Sequence, residues 1–246
     1  MIAPASKSKE LIGQFMLILD SGRTFQGAEE LQYRRELKHF PENELEGAQL
    51  RAFYNACNGN TDKAIEFFKK SLGFNQVGFI VNYLVYLIKL GRIKDYISET
   101  QKAHRQLPHN PNLLNELFRS YTLSGDVAGL LSVLSKFKML AIDELDFYES
   151  FITSLDDFMN GLGLSQNDVM FIANTLVDIA DENRIEIYNV SFEYEDEMYS
   201  VSLPTSYKNV KHLAQMNREL ADRIATNDSL AGKVFAPIIY HHISHR

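Results

Sequence analysis

Along most of the chain apolar residues recur every three or four positions, and near the C-terminus the interval drops to two. Leu11, Phe15, Ile18 and Leu19 set a first helical face, and "GNTDKAIEFFKKSL" at 59–72 sets a cleaner one. Past residue 144, Tyr148, Phe151, Ile152, Leu155, Phe158 and Met159 predict another helix. Ser165 and Asp168 have the spacing of an N-terminal capping box, and Val169, Ile172, Ala173, Leu176 and Ile179 continue from it. Alternation of Val190, Phe192 and Tyr194, then of Tyr199, Val201 and Leu203, predicts a β-hairpin over 185–203 that Pro204 stops. Val210, Leu213, Ala214, Leu220, Ala221 and Ile224 restore a helix over 207–226. The tail "AGKVFAPIIYHHISHR" suggests a third strand that Pro237 confines to an edge. So small a sheet is marginal alone, so it must lie on helices. The fold class is mainly α, an array of helical hairpins followed by a small α+β unit.

Three glycines punctuate the helical region. "GNTD" at Gly59, "GRIK" at Gly91 and "GDVA" at Gly125 each close one apolar helical segment and open the next, at spacings of 32 and 34 residues. A glycine there ends a helix in the left-handed conformation without steric cost and permits a tight antiparallel turn. In these residues the chain resembles the tetratricopeptide repeat family, whose second helix is closely similar to Gly59–Leu72, with Ala64 in the small position and Phe68 in the large one. The resemblance covers roughly residues 8–144, with units at 45–76, 77–110 and 111–144 and a looser helix pair at 8–41. "LPHNP" at 107–111 looks like the family's inter-repeat turn, with Pro108 barring helix continuation. It implies a tetratricopeptide-like α-solenoid over 1–144 and a C-terminal α+β unit over 145–246, whose first two helices cap the last repeat.

The family places small residues where paired helices touch. Ala52 and Ala64 comply in the first unit, whereas Leu84 and Tyr96 in the second and Phe118 and Leu130 in the third do not, so the array should be irregular. The resemblance also implies a concave groove lined by first helices. Carried over position by position, it consists of Gln49 and Phe53, then Asn82, Val85 and Lys89, then Asn112, Asn115 and Arg119. Asn and Arg side chains suit hydrogen bonding to an extended peptide, and Phe53 and Val85 suit apolar contact. The set of cations that some family members use on a chaperone's C-terminal carboxylates is not matched, since Gln49, Phe53 and Glu116 stand at its positions and only an asparagine fits.

Composition narrows the function classes. Of 246 residues 45% are hydrophobic and 23% charged, with six prolines, which describes an ordered globular chain. A net charge of -7 argues against nucleic-acid binding, which draws on clustered Lys and Arg. One cysteine, Cys57, excludes an internal disulfide, fits a reducing cytoplasmic compartment, and reads as a packing residue rather than a nucleophile. The longest apolar run, Val77–Leu90, contains Asn82 and Lys89 and falls short of the roughly 20 residues that span a bilayer. At the N-terminus Gln14 interrupts a segment that otherwise copies a signal peptide, and no cleavage site follows.

Hydrolase, phosphate-loop and zinc-protease motifs are absent from the sequence. "GLGLS" at 161–165 reads as an interhelical loop. Asp178, Asp181 and Glu182 share a helical face and could in principle hold a hard cation, and His241, His242 and His245 could form a metal pair; both read more simply as solvated surface. The acidic hairpin tip, Glu193, Glu195, Asp196 and Glu197, is either a solvated turn or a surface for a basic partner. The expectation is therefore a non-catalytic adaptor or scaffold, without cofactor or metal, that binds a protein or peptide in the groove. The alternatives are an immunity-type inhibitor that caps a basic toxin with the acidic hairpin, and an enzyme with a carboxylate site around Asp178 and Asp181.

Overall fold

The computed structural model describes residues 4–142, 144–187, 189–195 and 198–241. The protein is mainly helical, with a small three-stranded sheet near the C-terminus. It forms two compact units that divide between Tyr83 and Leu84, inside the helix Val77–Lys89.

In the first unit, α1 (Pro4–Asp20) packs on α3 (Leu45–Cys57), and α3 pairs with α4 (Thr61–Leu72). Between them, α2 (Gly27–Glu36) runs into a 3-10 turn at Leu37–His39 that also touches α3. Gly59 makes the α3–α4 turn with φ of 73°, the left-handed conformation the hairpin requires. The core is aromatic: Phe15 meets Tyr33 edge-on at 4.9 Å, and Phe68 meets Phe53 edge-on and stacks on Tyr83. Full burial of each such ring is worth about 1.5 to 3 kcal/mol. Ala52 and Ala64 are both wholly buried.

In the second unit, α5 (Val77–Lys89) runs through the division to Gly91, where α6 (Ile93–Gln106) follows; α7 (Pro111–Ser124) and α8 (Val127–Leu140) form the next hairpin around Gly125. Gly91 and Gly125 again take positive φ, 62° and 67°. The "LPHNP" turn separates α6 from α7, and the Asn110 side chain caps α7 by accepting from the Asn112 and Leu113 amides. Phe118 and Leu130, which stand where the first unit has Ala52 and Ala64, are both buried. Tyr96, in another of the small positions, is wholly buried and its hydroxyl donates a hydrogen bond to Glu116 at 2.7 Å.

Two further helices follow, α9 (Leu145–Leu162) and α10 (Gln166–Glu182). The capping box at Ser165 and Asp168 forms as its spacing predicts. α9 packs on α8 and α10 on α7, so both meet the last hairpin, and α10 reaches back onto α6 as well. It lies against the two glycine turns. A Cβ on Gly125 would stand 2.8 Å from the Met170 Cα, and one on Gly91 would stand 2.3 Å from the Arg184 carbonyl carbon.

The sheet has the order β1 (Ser191–Glu195), β2 (Met198–Thr205), β3 (Ala236–His241). β1 pairs antiparallel with β2, and β3 runs parallel to β2 at the far edge, where Pro237 belongs. The hairpin pairing stops before Pro204, but the strand does not: β2 continues through it to Thr205. The last β1 pair is Ser191 with Ser202, so Pro204 lies beyond the β1 ladder, where a missing N–H is tolerated, and one residue on Thr205 bridges Ile187. α9 lies on β1, and α11 (Val210–Ala225) lies on β3 and on α10, which gives the sheet the helical support it needs.

Candidate functional site

Two of the groove positions are in the core. Gln49 is wholly buried, and neither its amide nitrogen nor its amide oxygen has a hydrogen-bond partner. Phe53 is buried against Phe68. Neither can touch a ligand, because α3 turns this face toward the interior of a unit that also packs α1 against it. Asn82 is half-buried on the same unit's last turns.

In the second unit, Val85 is half-buried and Asn112 is exposed beyond the Asn110 cap. The remaining three positions are engaged by the chain itself. Lys89 pairs with Glu186 at 3.9 Å, Asn115 accepts from the Tyr148 hydroxyl at 3.0 Å, and Arg119 donates to the Ile187 carbonyl at 3.1 Å. Arg119 also lies over the Tyr96 ring. The segment after α10 thus takes up Lys89 and Arg119, and α9 takes up Asn115, groups that the family pattern reserves for a peptide; buried Ile185 and Ile187 anchor that segment. Of the second unit's groove positions, Asn112 is exposed, whereas Val85, Lys89, Asn115 and Arg119 are half-buried.

The three candidate carboxylates in the last turns of α10 are each matched to a cation. Asp178 pairs with Lys94 at 2.9 Å, Asp181 accepts from the Lys94 amide and faces Arg184, and Glu182 receives both Arg223 nitrogens, the shorter bond at 2.6 Å. The Arg223 guanidinium holds the Glu182 carboxyl below its usual range. Among the described residues no group of His, Cys, Asp or Glu could hold a metal ion. His242 and His245 lie outside the described residues, and so do Asp196, Glu197 and the side chain of Glu195; Glu193 is exposed on β1. Cys57 is wholly buried, burial pushes its thiol up to about 12, and its Sγ meets the Phe15 carbonyl at 3.4 Å. That environment makes it a packing residue and keeps the thiolate from forming. The "GLGLS" loop ends α9 with Gly163 in the left-handed conformation, and Lys233 donates to the Gly163 carbonyl.

Open, chemically distinctive surface in the first unit lies elsewhere. A cleft of about 500 Å³ is walled by Arg34 of α2, Leu37 and Lys38 of the 3-10 turn, Arg51 and Tyr54 of α3, and Lys63, Phe67 and Lys70 of α4, with Glu42 and Glu66 also at its edge. Lys70 is neutralised by Glu42 and Glu66 at 3.3 and 3.1 Å and rests over the Phe67 ring. Arg51 is spent on the Phe40 and Gly47 carbonyls, where it ties the 40–47 loop to α3. Arg34, Lys38 and Lys63 are exposed, and among the described residues no carboxylate lies within ion-pair distance of them. The cleft therefore presents three uncompensated cations beside the Tyr54 and Phe67 rings, in a chain whose net charge is negative.

No protein-family model matches this chain, and neither a curated protein nor a solved structure shows significant similarity to it. The helical-hairpin architecture is compatible with a repeat array. No helix among the described residues is long and apolar enough to cross a membrane.

Proposed function

We propose that the protein is a non-catalytic adaptor of tetratricopeptide-like descent that holds an acidic segment of a partner protein, and that the cleft of the first unit receives it. The observation that carries this reading is the set of three cations without an ion-pair partner among the described residues, Arg34, Lys38 and Lys63, around a cavity that Tyr54 and Phe67 also line. Cations with no internal partner attract carboxylates, and flanking rings supply apolar contact for the side chains between them. The departure from the family pattern also has a reason: where Lys89, Asn115 and Arg119 are already bonded within the chain, a peptide gains nothing by competing for them. Pairing of Asp178, Asp181 and Glu182 with Lys94, Arg184 and Arg223 weighs against the enzymatic alternative. A reducing cytoplasmic setting agrees with the lone buried cysteine.

The test is fluorescence anisotropy with a labelled peptide library of Asp- and Glu-rich sequences carrying one aromatic residue, read on the wild type and on Arg34→Glu/Lys63→Glu. Removing and reversing two charges should weaken the best binder by a factor of roughly a hundred or more at low salt. Equal affinity of the two proteins for that peptide would place binding outside the cleft.

A further inference from the structure

A second pocket, of about 400 Å³, opens in the second unit between α9 and the β-hairpin, lined by Ser154, Asp157, Asn160, Gly161, Tyr194 and Tyr199. Ser154, Asp157 and Gly161 follow one another at i, i+3 and i+7, so one face of α9 forms the floor. Tyr194 and Tyr199 are direct cross-strand partners, their rings 4.5 Å apart and tilted by 30°. Tyr199 reaches over the helix at Gly161, where an added Cβ would fall 1.8 Å from its hydroxyl oxygen. Glycine at 161 is what lets the phenol close this end of the pocket.

The polar groups here converge without bonding one another. The Asp157 carboxylate has no cation and no hydrogen-bond donor among the described residues, and no cation lines the cavity. Ser154, Asp157 and Asn160 are all exposed, and Tyr194 is 54% exposed. The surroundings are strongly one-signed: from Met139 to Asn183 the chain has ten acidic residues and no Lys, Arg or His. Lys233 approaches the neighbouring loop but is held on the Gly163 carbonyl and does not line the pocket.

We propose that this pocket is a recognition site for an arginine side chain in a basic segment of a partner protein. A guanidinium is planar and stacks on a tyrosine face, and its five donors need the acceptors that Asp157, Asn160, Ser154 and Tyr199 offer. Asp157 can receive two parallel N–H bonds, a geometry that an ammonium cannot match. An anion is disfavoured by the same carboxylate. The acidic stretch adds long-range attraction that raises the encounter rate for a basic chain. The site is independent of the cleft proposed above, since none of its residues belongs to the first unit.

The experiment uses the full chain and a labelled Gly-Ser peptide with arginine at every third position, beside the same peptide carrying citrulline or lysine instead. The wild type should bind the arginine peptide, with amide shifts at Asn160 and Gly161 in a two-dimensional NMR spectrum. Citrulline, which keeps the shape and loses the charge, should weaken binding roughly tenfold or more, and lysine should fall between the two. Asp157→Asn should reproduce the citrulline loss with the arginine peptide. Absence of binding overturns the proposal, as does equal affinity for the arginine and citrulline peptides. Equal affinity for arginine and lysine that Asp157→Asn does not alter overturns it as well, and identifies a diffuse charge effect.

Discussion

Gln49 puts an amide in the interior of the first unit and offers it no partner. An unsatisfied buried amide costs about 1 to 3 kcal/mol, so Gln49→Met, which keeps the length and removes the polar atoms, should stabilise the protein by about 1 to 2 kcal/mol in urea titration. A lower midpoint would mean that a buried water bonds the amide. At the glycine turns the sequence shows where a left-handed residue is wanted but not what stands beside it. A Cβ added at Gly59 would meet only the Thr24 methyl, at 3.9 Å, so Gly59→Ala should cost the conformational strain alone, about 1 to 2 kcal/mol. Gly91→Ala adds a clash with the Arg184 backbone to the same strain and should cost clearly more, beyond about 3 kcal/mol. Thermal melts of the two variants side by side decide this, and equal losses would show that the 184–187 segment yields easily.

At the scale of helices and strands, periodicity located nearly every element and said little about what each one touches. Ala64 illustrates the part that could be read: its place in "GNTDKAIEFF" predicts a close helix contact, and it is wholly buried in α4. Ala64→Leu should overpack the hairpin and destabilise by about 1 to 3 kcal/mol, so an unchanged melting midpoint would remove Ala64 from that contact. α10 illustrates the part that could not. Val169, Ile172, Ala173 and Leu176 announce an apolar face, but an apolar face fits any apolar surface, and the choice of α6 and α7 over the end of α8 depends on room at Gly91 and Gly125. Pro204 follows the same logic, since its tolerance within β2 depends on how far β1 extends.

For the molecule as a whole, charge is the property least visible in the composition. The net value of -7 conceals a cationic cleft in the first unit and an acidic stretch in the second. The cleft could not be read from spacing because Arg34, Lys38 and Lys63 come from three separate elements, although "YRRELK" at 33–38 already concentrates positive charge. Part of the acid response follows from groups in the second unit. Burial, with Lys136 and His109, holds His104 below its ordinary value, so the folded form takes up its proton later than the unfolded chain does. Burial alone would raise Asp168, but hydrogen bonds from Ser229 and Ser165 prevail and lower it, and the hydrogen bond from Arg223 lowers Glu182. All three shifts have the same sign: the unfolded state binds more protons, and stability declines as pH is lowered. Urea midpoints should be level above pH about 7, decline as pH drops through about 6.5, and decline again below about 4. His104→Gln should abolish the first decline and spare the second. The solitary thiol has a practical consequence. Cys57 is sealed in the first unit with its proton firmly held, so an alkylating reagent can reach it only when that unit opens. Its labelling rate under native conditions is therefore a clock for opening events in residues 1–83, and comparison with the rate of global unfolding reports whether the two units come apart together or one at a time.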